Sequence, residues 1–353
     1  MHLDDFDYSL PPAFIAQTPI EPRDAARLLL LDRTQSMLGD HHVRDLPQLL
    51  RPGDVLVFND TRVLPARLWA RKRRTGGRVE ILLLRRMAPQ RWEALVGGKG
   101  LRPGVELEVV GRHVTPERPA SPILVRIEQD LGGARRLLYF ASPITPELER
   151  IGEMPLPPYI HQRLVDPGRY QTVYSRSPGS AAAPTAGLHF TPGLLRDLEA
   201  RGISLVYVTL HVGLDTFAPI TEPNVASHAI HSEWMSLSRE AAECVNRARA
   251  AGGRVIAVGT TSVRALESAA LESEGASESG LLAAWEGPTR LYILPGFTFR
   301  VVQGMVTNFH LPRSTLLVMV SAFTGRERIL GAYAEAQARG YRFYSFGDAM
   351  LIF

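Results

Sequence analysis

The sequence predicts an α/β main domain, a mixed sheet flanked by helices, with an inserted all-β antiparallel barrel domain. Three observations carry this prediction. Between residues 54 and 140, short β-prone runs follow one another with no helical period: DVLVFN, RVLPARLWA, RVEILLL, RWEALVG, VELEVVG, ILVRIEQ and RRLLYF. Beyond residue 142, helical and strand patterns alternate, as in α/β folds. The N-terminal sixty residues are too few to fold alone, so the β-rich part reads as an insertion: residues 1–61 and 150–353 for the α/β domain, 62–149 for the barrel.

Turn signals RTGGR, GGKGLRPG, TPERPASP and LGGA separate the β-prone runs, and six or seven strands at that spacing suit a barrel. SPITPELERIG then reads as a helix with Pro near its start. TPGLLRDLEARG is another, with Thr191 as N-cap and Gly202 as stop. The strand ISLVYVTL, a helix from Ser238 to Gly252, the strand RVIAVG and the helix TSVRALESAALES follow. Two strands near LYIL and FRVVQGMV and two helices between Ser314 and Gly340 complete the chain. EGASESGLLAAWEG, residues 274 to 287, reads as a polar, mobile loop.

The chain has 353 residues, 45% hydrophobic and 8% aromatic, enough for a sizeable core. MHLDDFDYSLPP has neither the basic stretch nor the apolar run of a secretory leader, and TLLVMVSAF is less than half of the roughly 20 residues that span a bilayer. A soluble, cytoplasmic, monomeric protein with no membrane partner is the expectation. The single cysteine, Cys244, excludes an intrachain disulfide and a thiolate metal cluster, and its helical context makes it a small core residue. Net charge is only +4, yet residues 62 to 112 hold 13 Lys or Arg against 4 acids. Such unevenness fits a polyanion gripped by one portion of the molecule. The blander reading is a solvated hairpin tip at ARKRRTGGR.

Four compact polar stretches sit at the ends of apolar strands: FNDTR, APTAGLHFT, GTTSVR and TNFHLPRST. Ligands of open α/β sheets bind outside strand ends, where helix N-termini leave N–H donors unsatisfied. GTTSVR fits best, with Thr260, Thr261 or Ser262 available as a cap and Gly259 allowing close backbone approach. In TNFHLPRST, Pro312 closes a turn and Ser314 or Thr315 caps the next helix. HAIHSEW clusters His228, His231 and Glu233, but not at the spacing of a helical zinc site, so no metal is expected and an acid/base pair fits better. GxxxxGK[ST], GxSxG and GxGxxG are all absent.

Taken in order, DFDYSLPPAFIAQTP, VFNDTRVLPARL, EMPLPPYI, PTAGLHFT, VTLHVG, VGTTSVRALES, VTNFHLPRSTLLVMVSAFTG and YRFYSFGDAMLI resemble the S-adenosylmethionine:tRNA ribosyltransferase-isomerase family of queuosine biosynthesis. The resemblance spans nearly the whole chain. It implies transfer of the ribosyl moiety of S-adenosylmethionine to a 7-aminomethyl-7-deazaguanine at the wobble position of a tRNA anticodon, and rearrangement to an epoxycyclopentane. Adenine and methionine leave; S-adenosylmethionine is consumed as a substrate, and no cofactor is implied. That chemistry needs bases, an acid for adenine and dry surroundings, for which the chain offers His189, His211, His231, Glu233, His310 and Asp60. Substrate-binding candidates are Asn59, Thr61, Arg62, Thr185, Gly187, Gly213, Gly259, Thr260, Thr261, Arg264, Thr307, Asn308 and Asp348. Arg71, Lys72, Arg73, Arg74, Lys99 and Arg102 on the inserted domain are candidates for the RNA backbone.

The family pattern is departed from in three places. Asp215 in HVGLDTF replaces a glycine, Gly100 stands where a basic residue is common, and Phe346 replaces the tyrosine of SYGD. Two rivals are a small-molecule transferase that uses the same pocket without RNA and a non-catalytic RNA-binding module. The basic insertion argues against the first, and four strand-end polar knots with several histidines against the second.

Overall fold

The computed structural model of the chain describes residues 1–34, 37–110, 123–162, 164, 166–213, 220–276 and 281–353. Two compact units emerge: Met1–Arg62 with Pro158–Ser177 and Ala183–Phe353, and Val63–Pro157 with Pro178–Ala182.

The first unit opens with β1 (Arg27–Asp32), β2 (Met37–His42), the one-turn helix α1 (Leu46–Leu49) and β3 (Val55–Asn59). After β4 (Thr61–Val63), the second unit is built from β5 (Arg67–Lys72), β6 (Arg78–Ala88), β7 (Arg91–Gly97), β8 (Glu106–Val109), β9 (Ile123–Asp130), β10 (Arg135–Phe140) and the one-turn α2 (Leu148–Ile151). Following β11 (Ser177–Ser180) come α3 (Pro192–Ala200), β12 (Ser204–Leu210), β13 (Glu233–Leu237), α4 (Arg239–Ala250), β14 (Val255–Val258) and α5 (Thr260–Ala276). The chain finishes with β15 (Trp285–Thr289), β16 (Gly304–Asn308), α6 (Thr315–Thr324), α7 (Arg326–Ala338) and β17 (Ala349–Ile352).

The main sheet has nine strands in the order β15-β13-β12-β3-β14-β16-β17-β1-β2. Its centre, β12-β3-β14-β16, is parallel throughout. β3 and β14 are buried on both faces, which explains their unbroken apolar runs VLVF and VIAV. Parallel neighbours end at one edge, so Asn59, Leu210, Val258 and Asn308 are delivered side by side. β13 runs antiparallel to β12, and β17 antiparallel to β16, and both begin at that same edge, with Met235 opposite Leu210 and Ala349 opposite Asn308.

Caps follow the sequence where hydroxyls were expected. Thr191 Oγ1 accepts the Leu194 N–H at 3.1 Å, and Ser238 Oγ accepts that of Ala241 at 3.2 Å. Ser314, rather than Thr315, caps α6 through the Leu317 N–H. At α5 neither Thr261 nor Ser262 caps: Ser262 Oγ donates back to Val258 O at 2.8 Å, and the helix starts directly after Gly259, whose φ of +86° suits glycine.

The second unit is a closed six-stranded antiparallel barrel, β10-β7-β6-β5-β8-β9. Strand alternation turns Leu68 and Ala70 inward and leaves Trp69 and Arg71 exposed. Leu148 and Ile151 of α2 pack into the same core, so this unit continues past residue 149 to Pro157.

Several expected elements differ. DVLVFN is no barrel strand but β3, at the centre of the main sheet. LYIL is not a strand; WEGPT, just before it, forms β15 on the edge of β13. FRVVQGMV yields only β16, because Arg300, Val301 and Val302 give their backbone N–H groups to the carboxylate of Glu267 at 2.8, 3.0 and 2.9 Å instead of to a ladder. SPITPELERIG shrinks to a 3₁₀ turn and the single turn of α2. Of the loop expected at 274–287, residues 274–276 continue α5 and 285–287 belong to β15; residues 277–280 lie outside the described ones, as does Asp215. Cys244 is half-buried rather than core.

An acid-sensitive contact holds the far edge of the sheet. Asp40 on β2 accepts the Tyr341 hydroxyl, Arg339 Nη1 at 2.7 Å and Arg27 Nη2 at 2.7 Å, and these bonds, Tyr341 foremost, pull its carboxyl down to about 2. A carboxyl depressed on folding contributes stability that is complete above its unfolded pKa of roughly 3.9 and vanishes as pH falls towards 2. Asp40→Asn should therefore lower Tm at pH 7 while matching the wild type near pH 2; equal Tm values at pH 7 would remove this contact from the account.

Candidate active site

The edge at which the parallel strands end carries a narrow cleft with about 500 Å³ of empty space, part of it open to solvent. Thr185 and Ala186 line it from one segment, Gly259, Thr260 and Thr261 from the start of α5, and Thr307, Asn308 and His310 from the end of β16. Tyr344, Ser345, Val212 and Leu316 complete the wall. Of the sequence candidates, Thr185, Gly259, Thr260, Thr261, Thr307, Asn308 and His310 thus meet in one place.

His310 is enclosed, and its hydrogen bonds assign its tautomer. Tyr333 is fully buried, and the partners of its hydroxyl among the described residues both belong to His310: the backbone N–H at 3.0 Å and ring Nδ1 at 3.2 Å. Having accepted the backbone N–H, the hydroxyl gives its one proton to Nδ1. The ring proton then sits on Nε2 and is donated to Thr307 Oγ1 at 3.2 Å. Burial without a neighbouring carboxylate drops His310 to about 3, so the imidazole is neutral at physiological pH. Tyr8 OH fixes the same residue from the other side by donating to His310 O at 2.5 Å.

Asn308 ties two walls together: its Oδ1 accepts the Thr185 hydroxyl at 3.0 Å and its Nδ2 donates to Tyr344 O at 3.1 Å. Tyr344 sits at φ +75°, strained for a bulky residue, and packs edge-on to Tyr159 at 4.0 Å. Thr261 Oγ1, in the cleft wall, is buried without a partner among the described residues.

A second cluster holds the HVG segment. Glu233 Oε1 accepts the Gly213 N–H at 2.9 Å while Oε2 pairs with Arg264 Nη1. Side-chain exposures of 7% for Arg264 and 5% for Glu233 make this a buried ion pair. Arg264 Nε also donates to Leu291 O at 3.1 Å, and its Nη2 is buried without a partner among the described residues.

The remaining candidates divide into supports and surface. Asn59 bridges strands, taking the N–H of Leu210 and of Thr61 and giving Nδ2 to Leu210 O. Asp60 holds Arg176 at 3.1 Å and Thr209 Oγ1 at 2.7 Å, and Thr61 Oγ1 meets His211 Nδ1 at 2.8 Å. Burial lowers the affinity of His211 for a proton. His189 lies away from the cleft lining, with its ring nitrogens facing Ala186 O at 3.2 Å and Gly347 O at 2.9 Å; burial lowers its pKa as well. Gly187 is where Tyr174 presses closest, since an added Cβ would fall 1.9 Å from its hydroxyl. Asp348 accepts the N–H groups of Arg27 and Arg342 and so shapes the YSFGD turn. Phe346 in that turn is buried against Tyr170. His231 and Arg62 are exposed. Among the described residues, no three or more His, Cys, Asp or Glu converge to hold a metal ion.

On the barrel, Arg71, Arg73, Arg74, Lys99 and Arg102 are exposed and Lys72 is half-exposed. Arg73 pairs with Glu106 at 2.8 Å, and Lys72 Nζ reaches Lys99 O. Arg71 stands directly opposite Arg78 on β6, a like-charge pairing that costs stability unless an anion offsets it.

Sequence reasoning missed Tyr333, Tyr344, Ser345 and Tyr8 as parts of the site. Tyr8 and Tyr344 do lie within the DFDYSLPP and YRFYSFGD motifs, but only the fold shows that they touch Asn308 and His310.

These features define an α/β protein with a polar cleft outside its parallel strand ends, and similarity to known proteins says which kind. The chain belongs to the family described as "Queuosine biosynthesis protein", whose family model matches residues 3–352. It is 50% identical over 356 residues to the S-adenosylmethionine:tRNA ribosyltransferase-isomerase of Moorella thermoacetica, covering 100% of both chains. With the protein of the same name from Thermus thermophilus it shares 53% identity over 353 residues, covering 99% of each. The crystal structure of an S-adenosylmethionine tRNA ribosyltransferase from Thermotoga maritima is similar at a TM-score of 0.55 and 35% identity, covering 99% of this chain and 100% of that one.

Removing one partner of the buried pair isolates its role. Glu233→Ala would strand the Arg264 cation and the Gly213 N–H, at a cost of about 3 kcal/mol or more in urea unfolding; a loss under about 1 kcal/mol would mean that the pair does not hold the HVG segment.

Proposed function

We propose that the chain is an S-adenosylmethionine:tRNA ribosyltransferase-isomerase. It transfers the ribosyl group of S-adenosylmethionine to the aminomethyl group of 7-aminomethyl-7-deazaguanine at the wobble position of the tRNA anticodon and isomerises it, giving epoxyqueuosine-tRNA, adenine and methionine. The observation that carries this reading is the convergence of APTA, GTT, TNFH and YS on one cleft in a chain of this family. S-adenosylmethionine is a substrate, and the reading requires no cofactor.

The reaction removes a proton from the ribose carbon next to sulfur, expels adenine and lets a neutral amine attack. Thr307, receiving Nε2–H from His310, has its own hydroxyl proton left for the cleft; this pair is the proposed donor to departing adenine. The first turn of α5, with Thr260 and Thr261, favours the methionine carboxylate through its unsatisfied N–H groups. Arg264 and Glu233 hold the HVG segment, whose Val212 lines the cleft. The basic barrel residues grip RNA phosphates, and the deazaguanine must enter the cleft unstacked. The proposed enzyme acts as a monomer, in the cytoplasm where its tRNA substrate is found. No helix among the described residues is long and apolar enough to cross a membrane.

Incubation with S-adenosylmethionine and tRNA bearing 7-aminomethyl-7-deazaguanine should release adenine in proportion to a heavier nucleoside in the RNA; no adenine would overturn the reading. Neutralising Arg71, Lys72, Arg73 and Arg74 together should raise KM for tRNA and flatten its salt dependence while leaving KM for S-adenosylmethionine unchanged. An unaltered KM for tRNA would exclude the barrel tip. His310→Ala should cost about 10²-fold in kcat with folding intact, His310→Gln should restore part of it, and kcat should show no limb from His310 between pH 5 and 8.

A further inference from the structure

The sheet face turned away from Arg264 carries a feature that the cleft does not use. Along β13, Glu233 points to Arg264 and its neighbour Trp234 to the opposite face. There the His211 ring lies on the indole of Trp234, with centroids 5.1 Å apart and planes 18° from parallel. Thr61 Oγ1 fixes the imidazole from its edge at 2.8 Å. The preceding residue, Asp60, fixes a second flat group: its carboxylate holds Arg176 at 3.1 Å, and the guanidinium lies 4.6 Å from the centroid of the Tyr207 ring. His211 lies one residue beyond β12 and four beyond Tyr207, and its N–H still donates to Trp234 O at 2.9 Å, so the two share one face at about 13 Å separation. Consecutive residues of FNDTR therefore orient two stacked pairs on one surface.

Both pairs remain open to solvent. Trp234 is 39% exposed, and the Arg176 side chain is 64% exposed despite its ion pair. A tryptophan serving only the core would be covered. Here one ring face is backed by an imidazole held in place and part of the indole is left open to solvent. Aromatic and guanidinium planes of this kind accept unstacked nucleobases, whose π-faces stack whatever the base, while an arginine beside them meets phosphate. S-adenosylmethionine fits this surface less well, since an exposed platform excludes no water from a reacting centre.

We propose that the Trp234–His211 stack, with Arg176 over Tyr207 on the same face, is a platform for unpaired bases of the tRNA anticodon loop. It rests on the reading of tRNA as substrate. A wobble base can reach a cleft only after leaving its own stack, and stacking on Trp234 offsets part of that cost for the bases displaced with it.

The test is steady-state kinetics of Trp234→Ala, Trp234→Leu and Trp234→Phe with modified tRNA and S-adenosylmethionine, each variant checked by thermal melting. The platform predicts that Ala and Leu raise KM for tRNA roughly ten-fold, that Phe stays near the wild type, and that KM for S-adenosylmethionine does not change. Leu equal to the wild type would overturn it, because bulk rather than stacking would then suffice. A rise in KM for S-adenosylmethionine instead would reassign the surface to that substrate. If the wild-type protein releases no adenine, the proposed reaction fails, and direct tRNA binding by the same three variants still decides the platform by the same ordering.

Discussion

Parallel pairing of β3 with β12 on one side and β14 on the other is the constraint on which the site depends. Phe58 sits in register with Tyr207 and Val258 at once, so the three strands stop together. The residues just past each strand are then brought to one edge: Asp60 and Thr61 after β3, His211 after β12, and Gly259 with the first turn of α5 after β14. β16 adds Asn308 and His310 through its own parallel pairing with β14. Residues from distant parts of the chain become neighbours without any long-range search of their own. Asn59 reinforces the arrangement where the ladder ends, since its amide completes hydrogen bonds that Leu210 and Thr61 would otherwise lack.

Around that edge the protein has buried polar groups and given most of them fixed partners. Such networks orient side chains more than they stabilise the fold, because burial costs roughly what the bonds return. His310 is the clearest instance: the Tyr333 hydroxyl decides which ring nitrogen carries the proton, and Thr307 receives the result. Asn308 likewise has both ends of its amide engaged, so the Thr185 and Tyr344 walls cannot move independently. Two of the groups left without partners among the described residues, Thr261 Oγ1 in the cleft wall and Arg264 Nη2, stand out against this background. The positive φ of Tyr344 shows that the surrounding contacts impose local strain on the wall.

Much of this was legible in the sequence, for identifiable reasons. Strand-end polar stretches marked Thr260, Thr307 and Asn308 because parallel strands place ligands outside their carboxyl ends, a rule that needs no coordinates, whereas Thr185 joins them from a 3₁₀ turn after β11, outside the main sheet. The barrel was legible because two-residue alternation and glycine turns are local signals. Less visible was any partnership made by tertiary contact. Nothing near His310 in sequence points to Tyr333, and the pairing of Glu233 with Arg264 joins β13 to α5 across a fold-dependent distance. His189 looked reactive from its motif, yet it is enclosed between two carbonyls. Glu267 shows the same limit for secondary structure, since a buried carboxylate on α5 takes the N–H groups that a strand at Arg300–Val302 would have used.

The central claim is that the cleft at this sheet edge is where ribosyl transfer occurs. It is tested most directly by supplying S-adenosylmethionine labelled in its ribose carbons and counting label in tRNA with the wild-type protein and with Asn308→Ala. The account predicts label in the RNA with the wild type and little with a folded Asn308→Ala protein, whose two cleft walls are no longer tied. Incorporation by that variant at the wild-type rate would place the chemistry elsewhere.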